Sequence, residues 1–205
     1  VNLKTTLRGY KRVSTTRIPA TYTVASIFLQ AIFVLYLSAS EQMISDILGR
    51  GGQFPFIFGM VAILFGITSL LNGHFVMIFG IQKILFWASL FLVLTSAALL
   101  IVTVTADGIP HFWAFIPILA IMLATFMFMM PNLNSAALFP LPDIAGTASA
   151  LTSAIRMFFG ALIGGLITPQ VDTSLTPFTI GVLCLTTATA ITVILAGDPM
   201  PKEEI

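Results

Sequence analysis

Charge is scarce in this 205-residue chain: lysine, arginine, aspartate and glutamate make up 8% of it, against about a quarter in a typical soluble domain. With 58% hydrophobic residues, that scarcity excludes an ordinary soluble fold and points to an integral membrane protein. A net charge of +1, with no clustered basic and aromatic surface, excludes nucleic acid as a partner. Cysteine is nearly absent too. Cys184, alone in an apolar stretch, rules out an internal disulfide and a cysteine-based metal site, and reads as a small buried hydrophobe. His74 falls in the inner loop after the second run and His111 near the outer end of the fourth, too far apart to hold a metal or to act as a pair. The sequence has no HExxH, no GxSx nucleophile with a histidine at the same depth, and no paired transmembrane aspartates, so neither an enzyme nor a cofactor is expected.

Long apolar runs are abundant. Six of them, at about 20–40, 54–73, 84–105, 111–136, 145–168 and 176–196, are each bounded by polar residues, glycine or proline. Each is long enough to cross a bilayer, which takes about 20 helical residues. The expectation is an all-α, polytopic bundle of six transmembrane helices over 19–197, preceded by a basic tail or linker at 1–18 and followed by a short charged tail at 198–205. An even number of crossings puts both ends on one side. If that side is the cytoplasm, it holds Lys4, Arg8, Lys11, Arg12, Arg17, Lys83 and Lys202, and the opposite side holds only Arg50. The basic tail suits either a solvated linker or an anionic lipid surface. Its polar start, without an apolar core, does not read as a secretory leader, and a chain opening on Val1 reads as a fragment or a processed product.

Inside the runs, the residues that do not belong in hydrocarbon carry the functional argument. Arg156 is the only charge deep within an apolar helix, where an arginine costs several kcal/mol or more. Ser149, Thr152, Ser153 and Gly160 share its face, while Leu151, Ile155, Phe158 and Leu162 lie elsewhere on the helix. Gly146, Ala150 and Ala154, then Gly160 and Gly164, form small-residue ridges where close helix packing is expected. In the first run Thr23, Ser26 and Gln30 make a polar stripe with Phe33 beside it; Gln30 suits an interhelical hydrogen bond as well as a ligand. Glu41, at the outer end, reads as a solvated carboxylate or a weak proton-coupling candidate. The fourth run, kinked at Pro117 and ending at Pro131, brings Thr125, Met129 and Asn132 as lining candidates. Its methionines and phenylalanines suit ordinary packing, or a soft wall that accepts varied apolar molecules. The threonines of the sixth run can return their hydroxyls to their own backbone, so that helix reads as support.

Two stretches carry a family resemblance. "PN" at Pro131–Asn132, a short loop, and then "AGTASAL" opening the next helix resemble the second half of the bicyclomycin/chloramphenicol-type drug:proton antiporters of the major facilitator superfamily. Gly66, Asn72, Gly80 and Lys83 are similar to the degenerate copy of that superfamily's cytoplasmic gating loop, with Asn72 where the first copy carries an acid. The resemblance implies half of a twelve-helix fold built from two inverted three-helix repeats. It also implies proton-coupled efflux of a drug or small metabolite by alternating access, in a bacterial inner membrane with both termini cytoplasmic. The implied partners are the substrate, protons, membrane lipids and an amino-terminal six-helix half. At Arg156 the family more often has an uncharged polar residue such as glutamine. A pore-forming or structural subunit acting as an oligomer is the rival reading, since six helices with one polar face could line a shared pore.

Overall fold

In hydrocarbon every backbone polar group has to be satisfied within its own segment, so apolar runs of this length have only the helix open to them. A computed structural model, describing residues 15–198, forms six such helices: α1 (Arg17–Gln42), α2 (Phe54–Phe79), α3 (Ile81–Val104), α4 (Phe112–Leu138), α5 (Ala145–Ile167) and α6 (Thr176–Ala196). A π turn, Met43–Ile47, extends α1, and no strand occurs among the described residues. All six helices are long and apolar enough to span a bilayer, so the chain is an integral, multi-pass membrane protein. The chain enters and leaves at one end of the bundle, here the near end. Most of the expected basic tail, and Lys202 in the carboxyl-terminal tail, fall outside the described residues.

Three local readings are corrected. The loop expected between the second and third runs is a one-residue break: "GHFVMIF" contains no proline and continues α2 to Phe79, so His74 is helical, and the chain turns only at Gly80. There φ is +77°, a conformation that costs glycine little and other residues more. Nor does α4 end at Pro131; it runs through both prolines to Leu138. A proline removes one backbone donor, and a helix packed among neighbours tolerates that loss. Cys184 is exposed on the bundle surface rather than buried.

The centre is built on α1 and α4. Tyr22, Ala25, Leu29, Ile32, Tyr36, Ala39 and Met43 are buried at alternating spacings of three and four, and so are Phe115, Leu119, Met122, Phe126, Met129 and Leu133. That spacing keeps one stripe of each helix turned inward. Around this pair, α1 packs along α5 and α6, α4 packs along α2 and α3, and α3 meets α6. Exchanging the first three helices with the last three returns these same neighbours. Because three crossings reverse chain direction, each helix runs opposite to its counterpart, which is the arrangement of two inverted three-helix repeats. The counterparts α2 and α5 are the least buried, with 11% and 22% of their spanning stretches covered, against 39–50% for the rest.

Candidate functional site

Arg156 is the middle residue of α5. Its depth follows from how α5 sits on α1. Gly160 and Gly164 are buried against that helix, and a Cβ on Gly160 would stand 2.7 Å from Gln30 Cγ. One on Gly164 would stand 2.7 Å from the Ala31 carbonyl oxygen. Such close approach needs residues without a side chain. The two helices run parallel here, Gly160 beside Gln30 and Gly164 beside Ala31 and Val34, so Arg156 lies one turn nearer the chain ends than Gln30. The other ridge behaves differently: Gly146, Ala150 and Ala154 are exposed, without the dense packing expected of them.

Around Arg156 the polar groups have few partners. Its Nη2 donates to Ser153 Oγ at 3.5 Å, the long limit for a hydrogen bond, and its Nε is buried with no partner. Thr152 is buried and donates to the Ser149 carbonyl at 3.2 Å, while Ser149 and Ser153 are half-buried. Gln30, also half-buried, makes no hydrogen bond among the described residues. Thr23 and Ser26 have theirs within the helix, donating to the Pro19 and Thr23 carbonyls at 2.6 and 2.7 Å. The site is therefore a mid-depth guanidinium and a carboxamide, on adjacent turns of two touching helices, with donors to spare. Such a pair can hold an anionic or hydrogen-bond-accepting group, whether a ligand's or a protein carboxylate's. The nearest acid proposed by sequence, Glu41, is exposed near the far end of α1, away from this depth.

The remaining residues lie elsewhere. Phe33 stacks on Phe126 at 5.0 Å, with Phe65 at 6.2 Å, and so joins α1 to α4. Met129 is fully buried in the core. Thr125 donates to the Ile121 carbonyl and lines, with Thr68 and Trp87, a groove of about 600 Å³ among α2, α3 and α4 that α5 does not reach. Asn132 and Asn72, assigned by sequence to the cavity and to the gating loop, are one feature. Asn132 Nδ2 donates to Asn72 Oδ1 at 2.7 Å and to the Phe128 carbonyl at 2.6 Å, which ties α4 to α2 at the near end. Gly66 faces open space, Gly80 makes the turn, and Lys83 is exposed on the first turn of α3.

Sequence reasoning missed Tyr36. Its hydroxyl is buried without a partner, and its ring stacks on Phe58 at 6.3 Å. The available signal was a phenol in the middle of an apolar stretch, two turns beyond Leu29 on the buried stripe. Helix α6 meets its expectation: Thr179, Thr186, Thr187, Thr189 and Thr192 all donate to carbonyls three or four residues back, and Thr186 also meets Ser96 of α3 at 2.8 Å. His74 and His111 are at opposite ends of the bundle, and no group of three potential metal ligands occurs among the described residues. No family model, no curated protein and no solved structure matches the chain.

Proposed function

We propose that this chain is the carboxyl-terminal six-helix half of a proton-coupled multidrug or small-metabolite efflux transporter of the major facilitator type. The observation that carries the reading is Arg156: a guanidinium in the middle of a membrane helix, with one long hydrogen bond and a buried, partnerless Nε. A charge at this depth is retained for a partner or a pathway, and no described acid lies beside it. The missing wall belongs to the amino-terminal half. The inverted repeat and the low burial of α2 and α5 support this, since a second six-helix unit would cover helices that a self-sufficient bundle would bury.

In this reading the halves rock about a cavity lined by Ser149, Thr152, Ser153, Arg156 and Gln30, so that it opens to each side of the membrane in turn. Gly80 and the Asn72–Asn132 pair then belong to the near-end closure, and Lys83 follows Gly80 on the first turn of α3. Arginine keeps its proton under essentially all conditions, so the coupled proton is carried elsewhere, most plainly on a carboxylate of the other half. Residence in a bacterial inner membrane with cytoplasmic termini completes the proposal.

Transport by the chain alone is the test. Reconstituted into vesicles under an imposed pH gradient, it gives no proton-coupled flux, because one wall of the cavity is missing. Flux from vesicles in which cross-linking finds only monomers would overturn the half-transporter reading, and flux confined to cross-linked oligomers would favour the shared pore.

A further inference from the structure

The far end of the bundle gathers four carboxylates, Glu41, Asp46, Asp107 and Asp172, and a single arginine or lysine, Arg50. Electrostatics alone would pair that cation with an acid. Instead, Arg50 forms no ion pair among the described residues, and its Cζ lies 5.3 Å from the centroid of the Phe112 ring. Its backbone is fixed at both sides, with Arg50 N donating to the Ile44 carbonyl and Gln53 N donating to the Arg50 carbonyl, each at 2.8 Å. The backbone of Arg50 is thus held in place, and its guanidinium lies over Phe112, a residue that lines a cavity.

Phe112 is part of the wall of a groove of about 800 Å³ between α2 and α4, which falls within the roughly 300–1,000 Å³ of small-molecule sites. The groove starts at Gln53 and continues along α2 past Phe56 and Met60 to Ile67. At about 1.5 Å per residue that is roughly 20 Å, somewhat more than the depth of one leaflet of a 30 Å hydrocarbon core. Apart from Gln53 at the mouth and the Trp113 indole, its lining has no polar side chain. A ligand with amides or hydroxyls along its length would leave them unpaired there, whereas a hydrocarbon chain leaves nothing unpaired. The occupant that satisfies both parts has a long acyl chain and an anionic head.

We propose that this groove binds one anionic phospholipid, with an acyl chain between α2 and α4 and the phosphate on Arg50. The proposal does not use Arg156, but it requires the face between α2 and α4 to stay open to lipid, so the amino-terminal half of the transport reading has to cover α2 on another side. It accounts for a cation kept at the end of the bundle where the sequence otherwise places acids.

The two tryptophans make it measurable, because Trp113 lines this groove while Trp87 lines the other one. The full chain carrying Trp87→Phe is reconstituted in phosphatidylcholine, and Trp113 fluorescence is quenched with equal mole fractions of acyl-brominated phosphatidylglycerol or acyl-brominated phosphatidylcholine. One arginine at a membrane surface supports about a fivefold preference for the anionic lipid. That preference is expected in the parent chain and in Arg50→Lys, and is lost in Arg50→Gln. In a Trp113→Phe chain, quenching of Trp87 does not respond to Arg50→Gln. Equal quenching by the two lipids, a preference that survives Arg50→Gln, or no quenching by either because a second protein chain covers the groove would each overturn the proposal.

Discussion

If the chain is half of a transporter as proposed, Arg156→Leu is expected to abolish transport by the assembled protein and to leave it folded. The two outcomes separate because the guanidinium contributes little to this chain's stability: its hydrogen bond to Ser153 is at the 3.5 Å limit, and its Nε has no partner. A fully buried arginine at the bilayer centre costs about 2.5–3.5 kcal/mol on insertion scales, and half-burial reduces that cost without removing it. Leucine is therefore neutral or stabilising in thermal unfolding, but it removes the one mid-depth cation that can hold an anionic group. Arg156→Gln keeps hydrogen-bond donors and drops the charge, so transport persists and selectivity moves from anionic toward neutral and cationic compounds. Efflux assays with matched anionic and cationic substrates, at equal expression, decide between the outcomes. Unchanged transport in both variants would show that the charge has no part in function.

Gly164→Val produces the largest structural effect, because the glycine faces backbone. A Cβ there meets the Ala31 carbonyl oxygen at 2.7 Å, Val34 Cβ at 3.0 Å and the Leu35 nitrogen at 3.1 Å, and neither backbone atom can move without displacing α1. Overpacking of this kind costs about 1–3 kcal/mol even where side chains can adjust, and here the contact is mostly main chain. Loss of monodisperse protein in detergent, or a marked fall in thermal stability, is expected. The adjacent Gly165 has nothing within 4 Å of an added Cβ, so Gly165→Ala is neutral or slightly stabilising and serves as the internal control. Equal behaviour of the two variants would contradict the close approach of α1 and α5.

Between them, these two positions show what was readable in the sequence and what was not. The helices themselves were, because runs of this length in a charge-poor chain leave the backbone no other way to satisfy its hydrogen bonds. Gly164 was readable as a close contact and Arg156 as the exceptional charge. The sequence could not choose between small-residue ridges. Gly160 lies six residues past Ala154, about 240° further round the helix, so the ridges face different ways, and only Gly160 and Gly164 meet α1. Helix ends were misjudged where punctuation and packing disagree: Gly73 and Pro131 look like stops, yet both are inside helices whose neighbours support them. The Asn72–Asn132 bond joins residues 60 positions apart, and no local pattern encodes it. Phe33 and Met129 show a general limit, since in a membrane helix a methionine or an aromatic ring suits the core, the lipid and a cavity equally well.

Accessibility of the Arg156 face bears most directly on whether it lines an alternating cavity. Cys184 is the sole cysteine of this chain, so Cys184→Ala, with any cysteine of the amino-terminal half also replaced, supplies a background for a single cysteine at Ser153, a half-buried neighbour of Arg156, with Phe158→Cys, exposed on the other side of α5, as the lipid-facing control. In native membranes containing the proposed two-half assembly, a membrane-impermeant thiol reagent is applied from each side in turn, with the pH gradient in either direction. Alternating access requires that the cysteine at 153 react from both sides, in proportions that shift when the gradient is reversed, while the one at 158 stays unreactive. A cysteine at 153 reached from neither side, or from one side whatever the gradient, would contradict it.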